Sequence, residues 1–565
     1  MSFTWIIFNL HKLQTTSEKT MLNYIWLGLL VLGIATALTL DISNESSNKF
    51  RNGESMEVSV MFDSSFANSA KQFDATLTIP QSAFAKFYNV VLTKDVSQKI
   101  KLSYNEKEKK YSVYFLTDDS SPAIWQEMAK VSGKENDLSG ALTLKNKSGA
   151  NSYAAVLSLE KISFSKMKEV TNSAIDYAGK AVNIAIGLIG IMALWLGIMK
   201  IAEQAGLVAA MGRSVKPITK FLFPDVPQDH PAIGSMIMNI SANMLGLGNA
   251  ATPFGLKAME ELDSINLEKG TASNAMVTFL AINTAGLTLI PATAIAIRAA
   301  AGSSDPAIII GTSFFGASCA TFIGILAAKT LEKFYTNGGD RQKGFANFFN
   351  FIKSGWKFFI TLFAIALIII LLAVSGIFSK LTFVNSETLK SVIQMISILA
   401  IPLIIISFVT YGAIKKVKLY EAFVEGAKEG FNVAVRIIPY LVAMLVAIGI
   451  FRAGGAMDFL VIILSPITNL IGMPAEAMPM ALMRPLSGSG SLGIMSEMIS
   501  VHGPDTFLGI LVSTIMGSTE TTFYVLALYF GSVNIKKTRH AVAVGVLADV
   551  AGILGALFIV KLLFG

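Results

Sequence analysis

The sequence predicts an all-α polytopic membrane protein with two inverted repeats that contain re-entrant hairpins, plus a small soluble β-rich domain inserted after the first transmembrane helix. Long apolar runs recur along most of the chain, which indicates membrane-spanning helices. Two apolar segments are broken by Gly, Ser, Asn and Pro, which indicates backbone that turns within the membrane. One region alternates apolar and polar residues, which is typical of β-strands.

Composition places the chain among membrane proteins. Of its 565 residues, 53% are hydrophobic and only 15% are charged, an apolar excess over the usual soluble domain. A helix needs about 20 apolar residues to cross a bilayer. Runs of this kind occur at Met21 to Leu40, Ala181 to Met199, Ala275 to Ile297, Pro306 to Ala328, Phe358 to Phe378, Ser391 to Tyr411, Val433 to Phe451, Thr506 to Phe530 and Ala541 to Leu563.

Metal-dependent and ATP-dependent chemistry find no support in the residue pattern. Cys319 is the only cysteine, so neither an intramolecular disulfide nor a thiolate metal site is expected. Neither H-E-x-x-H nor a Walker P-loop occurs. The sequence therefore predicts no cofactor, no metal and no enzyme activity. The alternative is an intramembrane hydrolase with a "SGSG" nucleophile and His502 or His540 as base, but the first histidine adjoins an expected extracytoplasmic loop and the second lies in a basic cytoplasmic one.

The net charge of +8 is attributed to topology, since membrane proteins collect Lys and Arg in cytoplasmic loops, and no nucleic-acid partner is expected.

Residues 1–40 are predicted to form an N-terminal transmembrane anchor. Lys12 and Lys19 precede its apolar run and no clear cleavage site follows it, which favours a cytoplasmic N-terminus. Met1 and Met21 are both candidates for the start of the chain.

Residues 41–168 are predicted to form a soluble, extracytoplasmic, β-rich domain. Stretches such as "FDATLTIP", "YSVYFL", "ALTLK" and "YAAVLSLEKISFS" alternate apolar and polar residues. The region has 17 Lys and Arg against 15 Asp and Glu, a balance that does not suit a nucleic-acid surface. One strand face is expected to carry Phe73, Ala75, Leu77 and Ile79, and another Tyr111, Val113 and Phe115.

The remaining chain shows a duplication. Aligning "NTAGLTLIPATAIAI" with "GSTETTFYVLALYFG" places Asn283 on Gly517 and, without a gap, Gly311 on Gly545. Upstream, the glycines of "LGLGNA" fall against those of "SGSGSL". This predicts a first membrane domain at 169–330, a cytoplasmic linker with connecting helices at 331–412, and a second membrane domain at 413–565. Within the linker, Phe345 to Phe359 is expected to be an interfacial helix.

Loop charges indicate that the two repeats are inverted. The early loops of the first half carry Lys and Arg, whereas in the second half the late loop does, with Lys536, Lys537 and Arg539. Counting membrane crossings with these orientations predicts that Asn239 to Gly255 and Arg484 to Gly493 are re-entrant hairpins. Inverted repeats with broken or re-entrant segments are a recurring plan of secondary transporters.

The first hairpin is expected to bind a solute at its tip. Gly246 would let the backbone turn there, and Pro253 would start the second arm. The alternative is that the small residues only permit close helix packing. The candidate contacts in this half are Asn239, Ser241, Asn243, Asn249, Thr252, Asn283 and Thr284.

The second half repeats this arrangement with charge. Arg484, Ser487, Ser489, Ser491, Ser518 and Thr519 are the candidate substrate contacts, and Glu520, Thr521, Thr522 and Asp549 are the candidate ion-coupling residues. A charge at the bilayer centre costs about 2.5 to 3.5 kcal/mol, so both carboxylates need a partner, a proton or water. Glu520 either pairs with Arg484 as a structural lock or binds H+ or Na+. Asp549 has the alternative of facing Lys536 or Arg539.

Long strings of the chain resemble two bacterial families. "IGLIGIMALWLGIMKIAEQAGL" and "LFPDVPQDHPAIGSMIMNISANMLGLGNAATPFGLKAMEEL" resemble spore maturation protein A, and "RPLSGSGSLGIMSE" and "GPDTFLGILVSTIMGSTETTFYVLALYFG" resemble spore maturation protein B. The chain therefore resembles a fusion of the two. The resemblance implies gate-type nucleoside recognition domains, which concentrative nucleoside transporters also contain, with substrate and Na+ held by paired hairpins and broken helices. The insert at 41–168 departs from the protein A pattern.

The sequence and the resemblance together predict a secondary transporter or permease of the bacterial cytoplasmic membrane. Its partners would be the lipid bilayer, an unidentified small solute for which the family suggests a nucleoside-like compound, and a coupling ion, Na+ or H+. The alternative is a non-transporting membrane scaffold of a cell-envelope or spore-maturation machine that docks partners through the extracytoplasmic domain. The sequence leaves open whether the chain forms a homo-oligomer.

Overall fold

The computed structural model describes residues 3–62, 72–105, 110–132, 136–149, 151–332 and 386–565. These residues divide into two compact units. The barrel unit comprises Leu27–Tyr177 and Val446–Leu460, and the helical unit comprises the rest.

Two series of helices, which lie mostly in the helical unit, follow the same order. Each series has a long helix, a 16-residue helix with an internal proline, two helices joined by a short turn, a helix interrupted near its middle and a final long helix. The first series is α4 (Ser165–Gln204), α5 (Leu207–Leu222), α6 (Pro231–Met244), α7 (Gly248–Ser264), α8 (Asn274–Ala285), α9 (Ala292–Ala300) and α10 (Ile309–Leu331).

The second series begins after the connecting helix α11 (Ser386–Ile414). Short 3₁₀ turns at Pro306–Ile308 and Ala475–Ala477 complete the two series. The second series is α12 (Leu419–Ala453), α13 (Ala456–Ile471), α14 (Met478–Met483), α15 (Gly488–His502), α16 (Phe507–Ser518), α17 (Thr522–Ser532) and α18 (Ala541–Phe564).

The structure confirms a multi-pass membrane protein. Within the described residues, six helical segments are long and apolar enough to cross a bilayer. They are Asn23–Ser46, Ser165–Gln204, Pro306–Leu331, Leu419–Ala453, Phe507–Ser532 and Ala541–Phe564.

Two predicted spans are not continuous helices. The run from Ala275 to Ile297 is split into α8 and α9, because Gly286 ends α8 at a positive φ of 57° and Pro291 stands just before α9. The run from Thr506 to Phe530 is split into α16 and α17 by Thr519–Thr521. The predicted span at Phe358 to Phe378 and the interfacial helix at Phe345 to Phe359 lie outside the described residues.

Small residues hold the final helices of the two series together. A side chain at Gly324 would press on Ala548, and one at Gly555 would press on Cys319. Close backbone approach of this kind is the usual basis of helix packing in membranes.

The barrel unit contains a closed six-stranded antiparallel barrel, which confirms the predicted β-rich insert. Its strands pair in chain order and β1 closes on β6, so the barrel has no free edge. The strands are β1 (Met56–Phe62), β2 (Gln72–Ile79), β3 (Val96–Asn105), β4 (Lys110–Leu116), β5 (Asp137–Lys147) and β6 (Ser152–Leu159).

The predicted strand faces are buried in this barrel. Leu77 and Ile79 of β2 and Val113 of β4 point into the core. Two short helices, α2 (Gln81–Tyr88) and α3 (Ala123–Ser132), add aromatic rings, and Trp125 donates a hydrogen bond to the Tyr88 hydroxyl at 3.2 Å. Burial raises the pKa of Tyr88 to about 12, so this hydroxyl stays neutral.

A buried carboxylate joins the two helices that flank the barrel. Asp41 lies near the end of α1 (Phe3–Ser46), and its side chain is 1% exposed. It accepts hydrogen bonds from the backbone N–H groups of Lys166 and Met167, each at 2.9 Å. These donors belong to the first turn of α4, where N–H groups have no partner within the helix. Asp41 therefore caps α4 from α1 and fixes where the chain enters and leaves the barrel.

We expect Asp41→Ala to lower the stability of the barrel unit by about 0.5–2 kcal/mol, the usual cost of losing a helix cap. Thermal unfolding of the purified full chain, monitored through the susceptibility of the barrel to proteolysis, measures this loss of stability. Asp119→Ala, at an exposed barrel position, is the matched control. Equal melting temperatures for the two variants would contradict the capping role.

Candidate functional site

A tight turn joins α6 to α7, and this turn contacts the interruption between α8 and α9 of the same series. The turn between α6 and α7 spans Leu245–Leu247, and Gly246 adopts a φ of 78°, which confirms its predicted role. The backbone N–H of Leu289, between α8 and α9, donates to the carbonyl of Met244 at 2.8 Å. Pro253 does not start the second arm as predicted, because α7 already begins at Gly248.

The second helix pair makes an equivalent contact. The turn between α14 and α15 spans 484–487, and the N–H of Phe523 donates to the carbonyl of Pro485 at 3.1 Å. Arg484 reaches from this turn to the carbonyl of Thr519 within the second interruption. Each turn thus supplies hydrogen-bond partners to backbone groups that the interrupted helix cannot satisfy itself.

The two interruptions also meet each other. The N–H of Glu520 donates to the carbonyl of Thr284 at 2.8 Å. Gly286 packs so closely on Glu520 that a side chain at position 286 would collide with it. We call this contact, formed by residues 284–291 and 519–521 together with the turns at 245–247 and 484–487, the central junction.

Contacts at both ends show that the two interrupted helices run antiparallel. Beyond one end, the N–H groups of Lys536 and Lys537 donate to the carbonyl of Gly270, and the N–H of Ala272 donates to the carbonyl of Lys537. Beyond the other end, Arg298 forms an ion pair with Asp505 at 2.9 Å. The start of α8 therefore lies near the end of α17, and the end of α9 lies near the start of α16.

An amide and phenol network links the two series beside the junction. The Tyr529 hydroxyl donates to Asn283 Oδ1 and accepts from Asn239 Nδ2, each at 3.1 Å. Asn243 Nδ2 also donates to Asn283 Oδ1, at 2.9 Å. Asn239 is fully buried and its Oδ1 has no hydrogen-bond partner, whereas Asn243 is half-buried. The network positions Asn243 at the edge of the junction.

Arg484 and Glu520 form the charged pair of the junction. Their closest atoms, Nη2 and Oε2, are 3.6 Å apart. The side chain of Arg484 is 3% exposed, whereas that of Glu520 is 57% exposed, although Thr519 and Thr521 on either side of it are buried. Arg484 also donates to the Thr521 hydroxyl at 3.4 Å. The positive charge is therefore enclosed and the negative charge reaches the surface.

Asp549 lies apart from the basic loop residues that were its predicted alternative partners. Its Oδ2 accepts a hydrogen bond from the Thr522 hydroxyl at 2.6 Å, and the charged groups that act on it are Arg484 and Glu520. Arg539, one of its predicted alternative partners, donates to the carbonyl of Ala272 at 2.9 Å, and α18 turns the Asp549 carboxyl toward the start of α17.

The other predicted contacts are more dispersed. Thr284 bonds back to carbonyls of its own helix, and Ser491 to the carbonyl of Ser487, so both hydroxyls are engaged locally. The Ser487 hydroxyl caps α15 by accepting from Gly490, and Ser489 is half-buried beside it. Ser241 and Ser518 are fully buried, Thr252 is half-buried, and the side chain of Asn249 lies outside the described part of the structure.

One residue at the site, Tyr529, and one buried carboxylate elsewhere in the second series, Glu497, were not predicted from the sequence. Tyr529 stands in the apolar string "FYVLALYFG", where only its hydroxyl, which requires a partner when buried, gives a signal. Glu497, in the middle of α15, is 0% exposed. A carboxylate in an apolar helix at this position is itself a signal of function.

A second charged cluster joins the two series outside the junction. Arg298 is fully buried, and it also donates to Ser303 Oγ at 3.0 Å. The N–H and hydroxyl of Ser304 both donate to Asp505 Oδ2 at 2.8 Å. Burial alone would raise the pKa of Asp505, but the hydrogen bonds from Ser303 and Ser304 and the charge of Arg298 lower it. We call this cluster the Arg298 clasp.

The chain is similar to known proteins across both series. A family model described as nucleoside recognition matches residues 185–301 and 434–536. Spore maturation protein B of Bacillus subtilis (strain 168) is 53% identical over 174 residues, which is 31% of this chain and 98% of that protein. Spore maturation protein A of the same organism is 43% identical over 169 residues, which is 30% of this chain and 84% of that protein. The two relatives match different parts of the chain.

We expect Tyr529→Phe to destabilise the helical unit by about 1–3 kcal/mol, because it leaves buried amide groups of Asn239 and Asn283 with fewer partners. Thermal unfolding in detergent measures the loss. Tyr420→Phe, at a position 78% exposed, is the control. A melting temperature equal to that of the control would contradict the network.

We expect Asp505→Asn to lower stability at neutral pH by about 1.5–3 kcal/mol, the range for hydrogen bonds to a charged group. Because the pKa of Asp505 is lowered in the folded protein, its contribution is present above the unfolded pKa and is lost as the pH falls through the folded value. The wild type should therefore approach the variant in acid. Asp229→Asn, in an exposed loop, is the control, and a gap that stays constant with pH would contradict this.

Proposed function

Because this chain belongs to the family of spore maturation proteins A and B, we propose that it is a secondary transporter that moves a small solute across the bacterial cytoplasmic membrane. The solute would pass the central junction, where two interrupted helices and two helix turns converge. The match to the nucleoside recognition model supports a gate-type domain in each half and makes a nucleoside-like compound the first candidate solute.

The proposal includes inverted repeats with re-entrant helix pairs. Two separate segments match the same family description, and the two series have the same order of elements. The antiparallel course of the interrupted helices supports the inversion. Non-helical backbone at membrane depth is stable only where protein or a water-filled cavity surrounds it, and this supports a position of the junction inside the membrane.

One observation carries the transport proposal. Glu520 is an ionisable side chain at a helix interruption, next to residues that are almost fully buried, yet 57% of it is exposed. A carboxylate within a span does not face lipid, because such a charge is costly there. We infer that it faces a water-filled path. A packed scaffold would have no use for such a path.

The proposed solute contacts are the polar groups that remain accessible around this carboxylate. Asn243 and Ser489 are half-buried, one in each series. Thr252 of α7 is accessible to a similar extent. The fully buried polar residues, including Asn239 and Asn283, would position these contacts and would not touch the solute themselves.

The geometry gives no support to a hydrolase. Ser489 and His502 lie at opposite ends of α15, and at 1.5 Å per residue they are about 20 Å apart. A nucleophile and its base require hydrogen-bond distance. His540 lies beyond α17, in the loop that precedes α18.

We propose that the barrel lies outside the cytoplasm, as the charge pattern predicts, and that it serves the membrane domains in a role other than transport. If the chain were a scaffold, the barrel would be its docking module. The transport experiment distinguishes these functions.

The test is uptake or export by proteoliposomes that contain the purified full chain, with a panel of nucleosides and other metabolites. We expect flux of at least one compound, and a reduction of about tenfold or more in Glu520→Gln, since a hydrogen bond to a charged group contributes about 1.5–3 kcal/mol. Glu268→Gln, at an exposed loop position, should retain full flux. Equal flux in the two variants would remove Glu520 from the path, and no flux with any compound would favour the scaffold.

A further inference from the structure

We infer that Asp549 is a proton-binding site, and that its proton decides which carboxylate Arg484 pairs with. The inference rests on the proposed function for its biological use, since it would couple solute movement to protons rather than to Na+. The site itself is defined by geometry and can be tested without any transport.

The carboxyl of Asp549 is enclosed and only half satisfied. The residue is 1% exposed. Thr522 donates to Oδ2 at 2.6 Å, whereas Oδ1 has no close hydrogen-bond partner, although the Thr519 hydroxyl also faces the carboxyl. An ionised carboxylate in such a position is costly, whereas the neutral acid is far less so. The structure therefore suits Asp549 in its protonated form.

The charges around Asp549 come from the junction. Arg484 and Asp549 bond to the same short segment, Arg484 to Thr519 and Thr521 and Asp549 to Thr522, and Glu520 lies within it. On its own helix α18 the other charged residue is Lys561, near the far end. The helices α8 and α16, which pack on α18, carry no titratable residue. Three other helices that pack against α18 carry titratable groups: Cys319 and Lys329 of α10, Tyr524 and Tyr529 of α17, and Tyr411 of α11. The side chains of Glu387 and Lys390, also on α11, lie outside the described set.

Arg484 is thus an enclosed positive charge beside both carboxylates, and in this structure its ion-pair partner is Glu520. It contacts Glu520 at 3.6 Å, and its Nε has no hydrogen-bond partner. While Asp549 is neutral, Arg484 pairs with Glu520. When Asp549 releases its proton to water, the new carboxylate competes for Arg484, and Glu520 becomes free to bind a solute. The total charge of the three groups changes by one, which is the charge of the proton released.

Infrared spectroscopy of the purified full chain tests the site directly. We expect the wild type at neutral pH to show the C=O stretch of a neutral carboxylic acid, and Asp549→Asn, which has nearly the same shape, to lose that band. Thr522→Val should keep the band but shift its frequency, because it removes the hydrogen bond to Oδ2. A spectrum unchanged in Asp549→Asn would overturn the proton site.

The proposed competition for Arg484 gives a second prediction, which concerns the direction in which the titration of Asp549 shifts. Glu520→Gln leaves the charge of Arg484 without its present partner, so ionised Asp549 becomes more favourable and the neutral-acid band should disappear at a lower pH than in the wild type. Glu268→Gln should leave the titration unchanged. A band in Glu520→Gln that titrates as in the wild type would overturn the competition for Arg484. Absence of transport in proteoliposomes would leave both spectroscopic results standing and would count only against the transporter.

Discussion

The fold depends on satisfying backbone groups where helices stop inside an apolar environment. An interrupted helix exposes N–H and carbonyl groups that lipid cannot bond. In this protein three backbone hydrogen bonds satisfy such groups. The N–H of Glu520 donates to the carbonyl of Thr284, that of Leu289 to the carbonyl of Met244, and that of Phe523 to the carbonyl of Pro485. Each interruption is therefore stable only in the presence of the other parts. This requirement brings the polar residues of both series to one place.

The same requirement explains why charge is tolerated there. Arg484 satisfies the carbonyl of Thr519 and at the same time pairs with Glu520. The guanidinium thus serves as a backbone partner as well as an ion. A buried arginine with only one of these functions would cost more to enclose, since buried charges require both pairing and hydrogen bonds.

Features that depend on local sequence, such as turns and strand faces, could be predicted, whereas features that depend on contacts between distant segments could not. Gly246 was expected to turn the chain, because glycine readily adopts positive φ, and the alternating strands gave the inward faces of the barrel. The interruption between α8 and α9 was missed because "GLTLIP" is apolar enough to read as a continuous span. Its partners, the carbonyl of Met244 and the turn around Glu520, are distant in sequence. The roles of Tyr529 and the closure of β1 on β6 depend on similar long-range contacts, which hydropathy does not encode.

The two ends of the antiparallel helices are fastened by different means. At one end, main-chain hydrogen bonds join Gly270 and Ala272 to Lys536 and Lys537, and the Arg539 side chain donates to the carbonyl of Ala272. At the other end, the Arg298 clasp combines one ion pair with the hydroxyls around it and with bonds from Arg298 to the carbonyls of Pro504 and Asp305. The clasp includes a carboxylate whose bonds weaken in acid, because protonation removes its charge. Acid would therefore loosen the clasp end first, whereas the main-chain bonds at the other end have no charge to lose.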